Sequence, residues 1–89
     1  MICRIYDVPG GTLENYDAVV ERTGNDKPEG VHAHIAGKTD AGLMVIEVWD
    51  SPEHIERYME QGLGEAMQEV DVPEPTITEF EVHNLDWLG

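Results

Sequence analysis

The chain has 89 residues, and 19 acidic side chains against 5 lysines and arginines give it a formal net charge of −14. Such a surface repels phosphate backbones and anionic lipid, which argues against nucleic acid and membrane as partners. One cysteine, Cys3, excludes an internal disulfide and a thiolate-only zinc site, and with no stretch near the roughly 18 apolar residues of a membrane helix and no basic-then-apolar leader, the expectation is one cytoplasmic domain.

In chain order, Ile2 to Asp7 (ICRIYD) alternates and is rich in β-branched and aromatic residues, the pattern of a strand. Pro9-Gly10-Gly11 stops it. Thr12 is a good helix N-cap. Leu13, Tyr16, Val19, Val20 and Thr23 follow at helical spacing, and Gly24 suits the stop. Residues 25–30 read as a loop. Val31 to Ala36 (VHAHIA) alternates strictly, with Val31, Ala33 and Ile35 opposed to His32 and His34. A hairpin-length loop, Gly37 to Gly42, leads into the apolar strand Leu43 to Trp49. Ser51-Pro52 starts a second helix. Its apolar face runs through Ile55, Tyr58, Met59, Leu63, Ala66, Met67 and Val70, and Gly62 and Gly64 mark where it can divide. Pro73 and Pro75 end it. Thr76 to His83 alternates as a last strand, and the tail carries Leu85, Trp87 and Leu88 as candidate anchors.

The order β-α-β-β-α-β predicts an α+β, ferredoxin-like domain: a four-stranded antiparallel sheet with both helices on one face. Assigning the more apolar alternate set to the helix-covered face puts Cys3, Ile5, Val31, Ala33, Ile35, Met44, Ile46, Val48, Thr78, Phe80 and Val82 there. The bare face then receives Ile2, Arg4, Tyr6, His32, His34, Leu43, Val45, Glu47, Trp49, Ile77, Glu79, Glu81 and His83. Apolar surface mixed with convergent polar groups suits a small-molecule cavity, closed by a second copy of the chain in a two-fold dimer.

The segment GLMVIEVWDSPEHIERYME, preceded by GVHAHIAGKTD, resembles the antibiotic biosynthesis monooxygenase group of dimeric α+β-barrel proteins. The shared pattern is an apolar strand ending in Glu-x-Trp, a Ser/Asp cap and an amphipathic helix with a Tyr or Trp. The resemblance implies a homodimer with facing sheets and a ligand between sheet and helices. It also implies oxidation of a small aromatic or polyketide-like molecule without a cofactor, with Trp49 at the tryptophan position that shapes the oxidation site. The chain departs from the haem-degrading members, having Arg4 and Tyr6 where those carry an Asn and no histidine in Gly62–Val70.

On these grounds His32, His34 and Arg4 are the candidate catalytic residues: an imidazole to take a proton, a guanidinium to hold the resulting oxyanion. Arg4 can equally form a salt bridge with Glu47. Tyr6, Glu47, Trp49, Glu81 and His83 are candidate ligand contacts, with Trp49 stacking on a ring. The enzyme is then a cofactor-independent monooxygenase or a related cyclase or isomerase, and two other readings stand beside it. One is a non-catalytic dimeric ligand-binding or accessory protein. The other is a metal-binding variant in which His32 and His34 share an ion with Glu47, Glu81 or His83.

Overall fold

A computed structural model of the chain describes residues 1–24 and 27–86. Strand β1 (Ile2–Pro9) is followed by helix α1 (Leu13–Thr23), then β2 (Val31–Lys38) and β3 (Gly42–Trp49). The second helical region comprises α2 (Pro52–Tyr58), a π-helical turn (Met59–Leu63) and α3 (Gly64–Val70), and β4 (Thr76–Glu81) closes the chain. The strands form one four-stranded sheet in the order β2-β3-β1-β4, with every neighbouring pair antiparallel. This is the ferredoxin-like βαββαβ arrangement, with the helices on one face of the sheet.

Local chemistry sets the element boundaries. Thr12 and Asn15 form a reciprocal capping box, each side chain accepting from the other's backbone N–H. Gly24 ends α1 by donating its N–H to the Val20 carbonyl. The β2–β3 connection is tighter than the sequence suggests: both strands extend until Thr39 and Gly42 exchange backbone hydrogen bonds around Asp40 and Ala41. Gly42 stands at φ +154°, and a Cβ there would lie 2.4 Å from the Val8 carbonyl oxygen, so only glycine allows β3 to start so close to β1. Gly62 lies inside the π-helical turn at φ +132°. The division expected near Leu63 is thus a π insertion centred on a glycine.

The sheet faces are the reverse of those inferred from hydrophobicity. Arg4, Tyr6, Leu43, Val45, Glu47 and Ile77 look toward α1, the π-helical turn and α3. Cys3, Ile5, Ala33, Ile35, Ile46, Val48 and Phe80 occupy the other face, in mutual register across β4, β1, β3 and β2. Ile35 is 60% and Phe80 50% exposed there. The rule that the more apolar set meets the helices fails because the helices roof a cavity, whose walls include polar groups. The most apolar set lies on the sheet face that none of the described helices covers.

A β-bulge between Val31 and Ala33 also breaks the strict alternation of β2. Val31 lies opposite Trp49, while Ala33 lies opposite Val48. Val31 therefore points to the helix side, and His32 is the extra residue of the bulge. Trp49 (1% exposed), Val31 and Ile55 form the buried cluster that seats α2 on the sheet, with Ile2 and Tyr58 against it. The rings of Trp49 and Tyr58 lie 5.9 Å apart, tilted by 41°. Burial of a tryptophan on this scale stabilises by about 3–5 kcal/mol relative to alanine. Of the candidate tail anchors, Leu85 is half-buried, while Trp87 and Leu88 lie outside the described residues.

Candidate functional site

Helix α1 buries no residue fully. Its inner face (Tyr16, Val19) stands off the sheet and, with Met59, Leu63 and Met67 from the second helical region, encloses a cavity of about 220 Å³. Arg4, Tyr6 and Val8 of β1, Leu43, Val45 and Glu47 of β3, His34 of β2 and Ile77 of β4 form its floor. The walls are largely aliphatic, and the polar groups gather in two places.

The first is a hydrogen-bonded chain along one wall. Glu47 is 8% exposed, the one buried charged residue among those described. Its Oε1 accepts from the Trp49 indole N–H at 3.1 Å, and its Oε2 lies 3.0 Å from His34 Nδ1. His34 Nε2 in turn lies 2.8 Å from the Tyr16 hydroxyl. Burial, and then the Glu47 carboxylate, push the Tyr16 phenol above its ordinary value. Tyr16 therefore keeps its proton, and a hydroxyl that donates to Nε2 pairs with an Nδ1–H that donates to Glu47. The carboxylate orients the ring and would stabilise an imidazolium, as in other carboxylate–histidine pairs.

The second is an ion pair. Arg4 Nε and Nη2 both reach Glu79 Oε2, at 3.0 and 2.6 Å. The anticipated partner, Glu47, is occupied by Trp49 and His34, while Glu79 lies directly across β4 from Arg4. Tyr6 lies beside this pair. Burial and the Glu47 carboxylate raise its phenol, with Arg4 opposing them. A protonated Tyr6 and the Arg4 guanidinium thus offer donors to an oxygen in the cavity.

Of the expected site residues, the structure brings Arg4, Tyr6, His34 and Glu47 together around one cavity. Trp49 is not on that wall. It is packed behind it, against Val31 and Ile55, and acts on the site by holding Glu47. His32 does not share a face with His34, because the bulge turns it to the surface, where Nε2 meets Asp50 Oδ1 at 2.5 Å. The hydrogen bond from His32 holds the Asp50 carboxyl below its ordinary value. Glu81 pairs across β1 with Ile2 at the end of β4, and His83 follows the strand; both are exposed and neither lines the cavity. Among the described residues, no three His, Cys, Asp or Glu side chains are grouped to hold a metal ion. Cys3 is buried on the opposite face, where burial pushes its thiol up.

The sequence reading missed Tyr16. Its helical spacing marks it as an inward residue, but nothing in the sequence tells a core tyrosine from one whose hydroxyl meets a histidine 18 residues later. Met59, Leu63 and Met67, spaced by four, read as core and instead form the roof of the cavity.

No protein-family profile matches the chain, and no curated protein matches it. Solved structures do. A protein assigned as an antibiotic biosynthesis monooxygenase from Deinococcus radiodurans superposes with a TM-score of 0.68 at 14% identity, over 100% of both chains. A single-residue mutant of SnoaB, a cofactor-independent oxygenase from Streptomyces nogalater, gives a TM-score of 0.64 at 18% identity, over 94% of this chain and 92% of that one. A second SnoaB structure gives 0.61 at 14% identity with the same coverage. With this topology, and with full-length superposition on such structures, the chain has the ferredoxin-like fold of the antibiotic biosynthesis monooxygenase-like proteins.

Proposed function

We propose that the protein is a cofactor-independent oxygenase of small phenolic aromatics, acting in the cavity between sheet and helices. The observation that carries this reading is the Tyr16–His34–Glu47 chain, an imidazole backed by a buried carboxylate on the wall of a largely aliphatic cavity. A volume of about 220 Å³ suits one or two fused rings. Tyr16 accepts the proton of the substrate hydroxyl while passing its own to His34 Nε2, and Glu47 stabilises the imidazolium. The phenolate oxygen takes donors from Arg4 and Tyr6. The electron-rich ring then reduces dioxygen: the carbon para to the phenolate loses its hydrogen and gains one oxygen atom as a carbonyl. The other oxygen atom leaves as water, so a phenol and O2 give a quinone and water with the substrate supplying all the electrons. The likeness to SnoaB, a cofactor-independent oxygenase, supports the reaction class.

The uncovered sheet face supports a homodimer. Ile35 and Phe80 expose apolar surface beside Ile5, Ile46 and Val48, and a contiguous patch of this kind normally marks an interface. The two sheets would then face each other, leaving one cavity per subunit.

The test uses 1,5-dihydroxynaphthalene as probe, following O2 uptake and the visible absorbance of the hydroxynaphthoquinone product. The reading predicts turnover that His34→Ala and Glu47→Gln each lower by about 10²–10⁴-fold. Binding of the probe without O2 uptake would make the protein a ligand carrier, and failure to bind would remove the small-aromatic reading.

A further inference from the structure

The cavity has a neighbour of about the same size, a second pocket of about 260 Å³. Val20, Pro28, Val31 and Tyr58 give this pocket apolar walls, and Thr23 and Lys27 add polar groups. Tyr16, His34 and Glu47 line both spaces, so these three residues stand where the two meet. His34 and Glu47 are cross-strand partners on β2 and β3 and belong to the sheet floor. Tyr16 alone of the three descends from the helical layer. Its ring spans from α1 to β2, tied at the far end by the 2.8 Å contact between its hydroxyl and His34 Nε2. The helical residues part to either side of it. Val19 and Met59 line the first space, while their chain neighbours Val20 and Tyr58 line the second.

An apolar pocket beside a ligand cavity is either a site of its own or an extension of the first. A separate site needs polar groups of its own to orient a ligand. The Thr23 hydroxyl does not supply one, since it is turned back onto the Val19 and Val20 carbonyls. The shared floor favours an extension. We infer that Tyr16 is the residue that sets ligand length: its ring closes the cavity at about two fused rings, and the second pocket is the space that a longer ring system enters once that ring is gone. Tyr16 then has two parts. Its hydroxyl belongs to the hydrogen-bonded chain with His34 and Glu47, and its ring is the partition.

This inference rests on the ligand cavity proposed above. Fluorescence titration of the purified protein with 1-naphthol and with 2-anthrol, one ring longer in line, reads it as a ratio of two affinities. Wild-type protein should favour 1-naphthol. Tyr16→Ala and the milder Tyr16→Leu should each shift the ratio toward 2-anthrol by about ten- to a hundredfold, the scale on which an apolar pocket discriminates by size. Tyr16→Phe keeps the ring and loses only the hydroxyl, so it should hold the wild-type ratio. Val20→Phe fills the second pocket and should restore that ratio when added to Tyr16→Leu. Circular dichroism checks that each variant folds. An unchanged ratio in folded Tyr16→Leu, an equal gain in Tyr16→Phe, or no reversal by Val20→Phe would overturn the partition while leaving the ligand cavity in place. Wild-type protein that binds both phenols equally would do the same. Wild-type protein that binds neither would overturn the ligand reading and the partition with it.

Discussion

A carboxylate buried as deeply as Glu47 is costly unless its lone pairs are filled by donors. Here Trp49 and His34 fill one oxygen each, so the tryptophan that anchors α2 also fixes the charge that orients the histidine. Trp49→Phe keeps most of the packing and removes one donor. It should lower stability by about 1–3 kcal/mol, the cost of an unsatisfied buried acceptor, as read from the urea midpoint. Tyr6 and Tyr16 make a second prediction at this scale. Both phenols are raised, chiefly by burial. Ionising them is harder in the folded state than in the unfolded chain, so their contribution to stability is intact below the ordinary tyrosine value of about 10 and fades as pH climbs past it. Tyrosinate absorbance at high pH should therefore appear late in native protein, and the double variant Tyr6→Phe, Tyr16→Phe should lose that late phase. Ionisation at the ordinary value would contradict this burial of the two hydroxyls.

Among the elements, the π-helical turn shapes the cavity most directly. It places Met59 and Leu63 on the roof, and it depends on Gly62 at φ +132°, a conformation that costs a residue with a Cβ on the order of 1–3 kcal/mol. Gly62→Ala should lose about that much in thermal or urea unfolding and weaken 1-naphthol binding as Met59 and Leu63 shift. Unchanged stability would mean that the turn relaxes to an ordinary helix without cost. Much of this layer was legible in the sequence. Thr12 and Gly24, Ser51-Pro52, and the proline pair after Val70 punctuate the chain where the elements begin and end, and the weak point at Gly62–Gly64 is the π insertion. Two features were not. The bulge at His32 is an extra residue in one strand, and period-two alternation has no means to detect it, so His32 and His34 appeared to be a pair. The sheet faces were exchanged because hydrophobicity measures how much burial a face wants, not whether a helix or another molecule supplies it. The residues that make the site, Arg4, Tyr6, His34 and Glu47, were nevertheless kept together by that same alternation.

At the scale of the whole molecule, a net charge of −14 on 89 residues surrounds one sheet face that carries Ile5, Ile35, Ile46 and Phe80. That contrast favours a single mode of association through the bare face, since elsewhere like charges repel. Ile35→Lys combined with Phe80→Asp should convert a dimer to a monomer in sedimentation velocity while leaving the cavity lining untouched. A wild-type monomer, or a dimer indifferent to both changes, would place the interface elsewhere or remove it.

On the function proposed here, His34, held by Glu47 and Tyr16, is the group that meets a flat aromatic ligand. That role is tested most directly by titrating protein carrying 15N-labelled histidine with 1-naphthol and following the four imidazoles by NMR. The His34 resonances should shift on binding while those of His32, His54 and His83 stay still, and Glu47→Gln should alter the His34 tautomer signature before any ligand is added. Shifts confined to His32 or His83, or a His34 signal indifferent to both ligand and Glu47→Gln, would contradict it.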